Sequence, residues 1–317
     1  MPSTIVILGT GGTIAGTAAS ATDNVGYSAA QRPVGDLVAA VPPLAGLSLE
    51  LEDVAQIDSK DMDHATWQRL AQRVAHHLAR PEVQGIVVTH GTDTAEETAW
   101  FLQRVLAPAK PVVLAVAMRP GTSLAPDGPQ NLLDATVVAR EPGASGVMVV
   151  AAGTVHGAHD VRKVHTYRVD AFSSGDAGPI GRVEEGRMRR HRTWPLCPAL
   201  GIERLARGPA FWPRVEVLVS HAGANGRFVE ALVDSGVRGI VVACTGNGTL
   251  HHELEEALKR ASTAGVAVWR STRCGQGVVI DSGREVLPSA AGLSPWQARV
   301  ELMLSLVRKR GRVLEPA

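Results

Sequence analysis

Thr4-Ile5-Val6-Ile7-Leu8 runs directly into Gly9-Thr10-Gly11-Gly12-Thr13. A short apolar run without polar alternation is the pattern of a strand covered on both faces. The glycines behind it let the backbone approach a neighbour or a ligand closely, because no Cβ intervenes. The same arrangement recurs where Gly85-Ile86-Val87-Val88 is followed by Thr89-His90-Gly91-Thr92-Asp93-Thr94. Similar apolar runs lie at 112–116, 146–151, 215–219, 239–243 and 266–269. Helical patterns separate them. In 64–79 the apolar Trp67, Leu70, Val74 and Leu78 recur at helical spacing. Residues 95–106 can start at an Asp93 or Thr94 cap, with Glu96 or Glu97 as the capping-box partner. A shorter helix is expected near 34–40, and others over 226–235, 249–264 and 294–309. Strands alternating with helices predict parallel sheets joined by crossovers. In such a sheet the ligand crevice lies at the carboxyl ends of the strands, where both threonine-bearing turns sit.

The chain's 317 residues fit two domains. Pro195, Pro198, Pro209 and Pro213, with Gly201 and Gly208, interrupt the periodicity. The expected division is therefore a domain over 1–192, a linker over 193–213 and a second domain over 214–317. Apolar residues make up 45% and charged residues 20%, enough for a large core. A net charge of +1 gives no field for steering a phosphate-rich partner, so no nucleic acid is expected. The basic run Arg187-Met188-Arg189-Arg190-His191-Arg192 reads as a solvated connector. Three widely spaced cysteines support neither a disulfide frame nor a zinc ribbon. No apolar run reaches membrane-spanning length and the first residues lack a signal-peptide pattern, so no membrane partner is expected and the cytoplasm is the expected compartment.

Gly9-x-Gly11 lacks the third glycine of a dinucleotide fingerprint, and Gly11-x-x-x-x-Gly16-Thr17 lacks the lysine of a phosphate loop. Hydroxyl chemistry is the better use of these turns. A threonine hydroxyl needs a base to become a nucleophile, and a desolvated lysine can serve. Lys163, just beyond the 146–151 strand, is the candidate; a solvated surface lysine is its bland reading. Asp93 reads equally as part of that chemistry or as a helix cap. The Ala-, Ser- and Gly-rich stretch 15–33 reads as a lid or as an ordinary surface loop. His156, His159 and His165 cluster without zinc-site spacing, so no metal is assigned. His251-His252-Glu253 reads as an exposed helix start.

The stretches Thr10-Gly11-Gly12-Thr13-Ile14-Ala15-Gly16 and Thr89-His90-Gly91-Thr92-Asp93-Thr94 resemble the two signature motifs of the bacterial L-asparaginases. The resemblance continues through Ser59-Lys60-Asp61-Met62, Ala117-Met118-Arg119-Pro120, Asp127-Gly128-Pro129-Gln130-Asn131-Leu132, Gly246-Asn247-Gly248 and 293–299, in the family's order. It implies a two-domain α/β fold, with a larger N-terminal domain on a mostly parallel sheet and a smaller C-terminal parallel α/β domain. It implies a homotetramer built as a dimer of dimers. The implied substrate is a small molecule, L-asparagine, hydrolysed at its side-chain amide to L-aspartate and ammonia, with weaker L-glutaminase activity. No cofactor or metal is implied. By the resemblance Thr13 is the lid-side nucleophile and Tyr27 the lid tyrosine that activates it. Thr92, Lys163 and Asp93 form a second triad of hydroxyl, base and orienting carboxylate. Ser59 and Asp93 hold the substrate's α-carboxylate and α-amino group, and the Ala117 backbone meets its amide.

The chain departs from secreted members in places. Lys60 stands where they usually carry a glutamine that touches the α-amino group, and Thr249 stands where many carry a second asparagine. The 273–280 segment is shorter, and the acid lent to a neighbouring subunit's site is not evident. These changes predict weaker binding of L-asparagine or acceptance of amides with a modified amino end. A non-catalytic amino-acid-binding protein would lack one of Thr13, Thr92, Asp93 or Lys163, and all are present. A tRNA-dependent amidotransferase subunit calls for an extra N-terminal domain and a basic surface.

Overall fold

The computed structural model describes residues 3–283 and 286–307. Its contacts divide the chain into two units, Met1–Ala199 and Leu200–Ala317. In the first unit the order is β1 (Thr4–Gly11), α1 (Val34–Ala39), β2 (Leu49–Ile57), α2 (His64–Leu78), β3 (Val83–Thr89), α3 (Ala95–Leu106), β4 (Val112–Ala115), α4 (Gly128–Ala139), β5 (Val147–Ala151), β6 (Thr154–Gly157), β7 (Arg162–Lys163), β8 (Phe172–Ser173), β9 (Gly181–Glu184) and β10 (Arg187–Arg190). Eight strands form one sheet in the order β10-β9-β6-β5-β4-β3-β1-β2. The pairs from β2 through β5 are parallel, and those from β5 through β10 are antiparallel. β7 and β8 make a separate antiparallel ribbon, with Lys163 opposite Phe172.

The apolar runs are buried as their composition dictates: Ile5, Val6, Ile7 and Leu8 are all at most 1% exposed. Side chains alternate across the pleat, so one face of the sheet packs Ile5, Ile7, Val87 and Val113 against Val34 and Leu37 of α1 and Leu132 and Ala135 of α4. Helices α2 and α3 pack against each other and the strands, with Trp67 stacked on Phe101 at 4.9 Å between ring centroids. The chain leaves β1 for β2 on one side, whereas β3 leads to β4 on the other. That reversal makes the β1/β3 boundary the switch point, where the loops part and open a crevice.

The second unit holds β11 (Val215–Val219), α5 (Arg227–Asp234), β12 (Gly239–Cys244), α6 (His252–Thr263), β13 (Ala267–Thr272) and α7 (Pro295–Leu306). Its sheet is parallel, in the order β11-β12-β13. A core of Ile240, Val242, Leu254, Leu258 and Val268 fills one face. Ser294 and Gln297 cap α7 reciprocally as a capping box.

Several expectations need correction. The basic run is not a connector: Arg187–Arg190 is an edge strand whose exposed guanidiniums include Arg189, bonded to Glu184. Charge on an edge strand discourages pairing with another chain. Helix α6 starts at His252 rather than 249, because Thr245 and Thr249 close a tight bridge first. His251 is its N-cap and accepts from the Glu253 amide. The expected helix end at 309 lies outside the described residues. The stretch 15–33, read as a lid or a surface loop, is fastened by backbone bonds. Thr17 and Ser28 exchange backbone hydrogen bonds, Gly121 donates to the Gly16 carbonyl, and Leu124 donates to that of Ala21.

Candidate active site

The loops after β2, β1, β3 and β4, four neighbouring strands, leave the same edge of the sheet. They carry Ser59 and Lys60, then Thr13, then Thr92 and Asp93, then Ala117. The Thr10 hydroxyl ties the first turn to the second by donating to the Thr89 carbonyl at 2.8 Å.

The glycines bring the turns into backbone contact. Gly12 has φ 80°, and a Cβ added there would sit 2.3 Å from the Gly91 nitrogen and 2.4 Å from its Cα. Thr13 and Thr92 each follow one of this touching pair. A Cβ on Gly91 would in turn strike the Ser59 hydroxyl at 2.3 Å. Gly12→Ala is therefore expected to lower the thermal midpoint by about 4–8 °C, since the left-handed backbone and the displaced turn together cost about 2 kcal/mol. Activity should fall at least about tenfold through misplacement of the two hydroxyls. Gly46→Ala, with open space around it, is the control; equal midpoints and activities for both variants would contradict the contact.

Both threonines are buried, and each has its own partner. The Thr13 and Tyr27 hydroxyl oxygens are 2.6 Å apart. Burial, and then the charges of Asp58 and Asp93, raise the Tyr27 pKa against the lowering effect of the Thr13 bond, so Tyr27 is a neutral phenol at pH 7. Tyr27 also rests on Gly16, where a Cβ would come within 3.0 Å of its ring. At the second turn the Lys163 ammonium donates to Thr92 Oγ1 at 2.9 Å and to Asp93 Oδ1 at 2.5 Å. The Lys163 side chain is 20% exposed, which sets aside the solvated-lysine reading.

Asp93 is not the helix cap. Thr94 holds that position without a side-chain cap bond, and its hydroxyl donates to the Ser59 carbonyl. The expected capping box does not form, because these side chains hold neighbouring loops instead. Ser59 Oγ accepts from the Asp93 amide at 3.2 Å. Lys60 pairs with Asp58 at 2.5 Å and lies 3.7 Å from Asp61. The hydrogen bond that Lys60 donates to Asp58 raises its pKa and keeps it cationic. Ala117 is buried, and Asp127 shapes its loop by accepting from the Met118 and Arg119 amides at 2.9 Å each.

The three clustered histidines separate. His156 Nδ1 bonds the Ser174 hydroxyl, His159 Nδ1 bonds Asp160, and His165 Nδ1 accepts from the Tyr167 and Arg168 amides. Among the described residues no group of three or more His, Cys, Asp or Glu side chains is arranged to hold a metal.

Some residues of the site escape sequence reasoning. His90 is fully buried and donates from Nδ1 to the Gly91 carbonyl at 2.6 Å; burial pushes its pKa down to about 4, so the ring is neutral. Glu96 is 7% exposed, and burial pushes its pKa up to about 8. Asp58 and Asp127 give no signal beyond their acidity. The Thr-x-Thr spacing of the second turn marks hydroxyls but not which partners they take.

The chain as a whole has relatives among known proteins. Residues 4–196 match the family model described as "Asparaginase, N-terminal", and residues 214–312 match "Glutaminase/Asparaginase C-terminal domain". The chain belongs to the asparaginase family. It is 37% identical to L-asparaginase 2 of Escherichia coli strain K12 over 96% of this chain and 89% of that protein. It is 36% identical to L-asparaginase 2 of Bacillus subtilis strain 168, over 96% of this chain and 82% of that protein. A crystal structure of a probable cytoplasmic L-asparaginase from Campylobacter jejuni superposes with a TM-score of 0.90 at 38% identity, covering 96% of this chain and 95% of that one. The two-domain asparaginase fold, with a large and mainly parallel first sheet and a small parallel second sheet, is thus the fold of this chain.

Proposed function

We propose that this asparaginase-family enzyme hydrolyses the side-chain amide of L-asparagine to L-aspartate and ammonia, with secondary action on L-glutamine. One observation carries the reading: two buried threonines on touching turns, one bonded to a tyrosine and the other to a lysine–aspartate pair. An amide is inert, so hydrolysis is divided through a covalent ester. Thr13 Oγ attacks the amide carbon and its proton passes to the Tyr27 oxygen. Tyr27 is a neutral phenol, so it relays that proton rather than keeping it. The C–N bond breaks as the nitrogen takes up a proton and leaves as ammonia. Water then attacks the aspartyl ester and restores the Thr13 hydroxyl. Thr92, Lys163 and Asp93 form the second proton path: Lys163 passes a proton to Asp93 and, as the neutral amine so formed, takes up the proton leaving Thr92. Backbone N–H groups of the Gly-rich turns stabilise the oxyanion. Ser59 and Asp93 hold the α-carboxylate and α-amino group, and the Ala117 backbone meets the amide.

By the same reading the enzyme is a homotetramer, a dimer of dimers, and segment 193–213 links its domains. The cytoplasm is its compartment, supported by the name of the Campylobacter jejuni relative.

Lys60 favours a second substrate class, amides with a modified amino end, because a cation repels the α-ammonium. Its ion pair with Asp58 offsets most of that repulsion, and exposed pairs are worth only about 0–1 kcal/mol. Ammonia release from L-asparagine, D-asparagine, L-glutamine and N-acetyl-L-asparagine tests both readings. L-Asparagine is expected to have the highest kcat/KM. Lys60→Gln is expected to lower KM for L-asparagine about two- to fivefold without changing kcat, as an exposed pair of that strength allows. Exclusive use of the N-acetyl amide would contradict the main reading.

A further inference from the structure

Two Asn–Gly pairs occur in the chain, Asn225-Gly226 and Asn247-Gly248. The first lies in the loop between β11 and α5, the second in the turn between β12 and α6. The main-chain nitrogen that follows an asparagine can attack its carboxamide, and glycine leaves that nitrogen open because no Cβ shields it. The structure treats the two pairs differently. At Asn247 both ends of the carboxamide are held: Nδ2 donates to the Ile280 carbonyl at 2.9 Å, and Oδ1 accepts from the Ile280 amide at 2.7 Å. Gly248 is buried, its carbonyl accepts from Arg270 at 3.1 Å, and a Cβ there would come within 2.7 Å of Val279. Asn225 is exposed, and its side chain makes a single hydrogen bond among those described, from the Arg227 amide to Oδ1 at 3.1 Å. That bond closes an Asx turn, and the ring so closed contains both Asn225 Cγ and the Gly226 nitrogen. The Gly226 N–H itself has no acceptor among the described residues.

We propose that Asn225 is a site of spontaneous deamidation in the folded protein, and that the Ile280 main chain protects Asn247 from the same reaction. The Gly226 nitrogen attacks Asn225 Cγ and gives up its proton. The Arg227 N–H stabilises the oxyanion that forms on Oδ1. The bond from Cγ to Nδ2 then breaks, and Nδ2 takes up that proton and leaves as ammonia. A five-membered succinimide remains. Water opens it at one carbonyl to give aspartate, or at the other to give isoaspartate, whose main chain runs through the former side chain. Either product carries one more negative charge than asparagine. Aspartate keeps an acceptor for the Arg227 amide and sits just before α5, where the helix dipole favours an anion. Isoaspartate adds a methylene to the main chain and breaks the Asx turn. The site stands apart from the threonine turns, so the inference does not depend on the reaction proposed for them.

The test holds the full-length wild type in mildly alkaline buffer, once folded and once unfolded in urea. Peptide mass spectrometry follows the mass gain of deamidation at each of the two asparagines over time. In urea the two pairs are expected to react at similar rates, because each is then a free Asn–Gly peptide. In the folded protein Asn225 is expected to react at least about tenfold faster than Asn247, the factor that giving up two ordinary hydrogen bonds allows. Methyl transfer by an isoaspartyl methyltransferase, used as a reagent, should label the Asn225 peptide of the aged folded protein. Ion exchange should show a more acidic species that grows in at the rate of the Asn225 mass gain. Asn225→Ser cannot form the succinimide, so this species should not grow in at that rate in the variant. Equal rates at the two asparagines in the folded protein would overturn the proposal. So would a faster gain at Asn247, or an Asn225 that stays intact when folded while it deamidates in urea. None of these readouts uses turnover of L-asparagine, so they decide the site whatever the enzyme's substrate.

Discussion

Thr13→Ala is expected to release ammonia from L-asparagine at least about a thousandfold more slowly than the wild type, with substrate binding largely kept. Removing the attacking oxygen abolishes the covalent route, and a thousandfold loss corresponds to about 4 kcal/mol of transition-state stabilisation. The fold should survive, because the Thr13 side chain makes a single hydrogen bond among those described, to Tyr27, and sits on a turn fixed by backbone bonds such as Gly12 to Ile57. Thermal unfolding within a few degrees of wild type, together with retained binding of L-aspartate by calorimetry, separates lost chemistry from lost structure. Ammonia release within tenfold of wild type would remove Thr13 from the reaction.

Lys163→Met is the second large effect expected. Methionine keeps the length and apolar stem but cannot bridge Thr92 and Asp93, which the ammonium joins at 2.9 and 2.5 Å. Loss of a positioned proton carrier lowers kcat by about 10²–10⁴. Groups that act as a unit are strongly non-additive. The double variant Thr92→Ala/Lys163→Met should therefore lose about as much as either single one. Steady-state kinetics on the three proteins checks this; losses that multiply would mean that Thr92 and Lys163 act separately.

Much of the fold was legible because the strands of the parallel core carry their environment in their composition. Ile5 through Leu8 and Ile86 through Val88 are apolar without alternation and are buried on both faces. The strands that escaped notice are those whose composition is ambiguous. Leu49–Ile57 alternates acidic and apolar residues as a half-covered edge strand, and Arg187–Arg190 is nearly all basic. Helix α4 was not foreseen; Gly128 and Pro129 form its first turn. In the site, Thr13 and Thr92 stood out as hydroxyls next to glycine, and Asp93 and Lys163 as charges beyond strand ends. The role of the glycines as a Gly12–Gly91 contact was not visible, since it depends on β1 and β3 being neighbours. Glu96 was hidden for a similar reason. Its spacing reads as that of a capping-box partner, and only the folded chain reveals its burial.

Rapid acid quench of the wild type during turnover of L-asparagine, followed by peptide mass spectrometry, probes the chemistry most directly. An aspartyl ester on the peptide that carries Thr13, formed before steady-state ammonia release and absent in Thr13→Ala, is the expected result. Steady ammonia release with the ester on Thr92 instead, or with the ester persisting in Thr13→Ala, would contradict the mechanism.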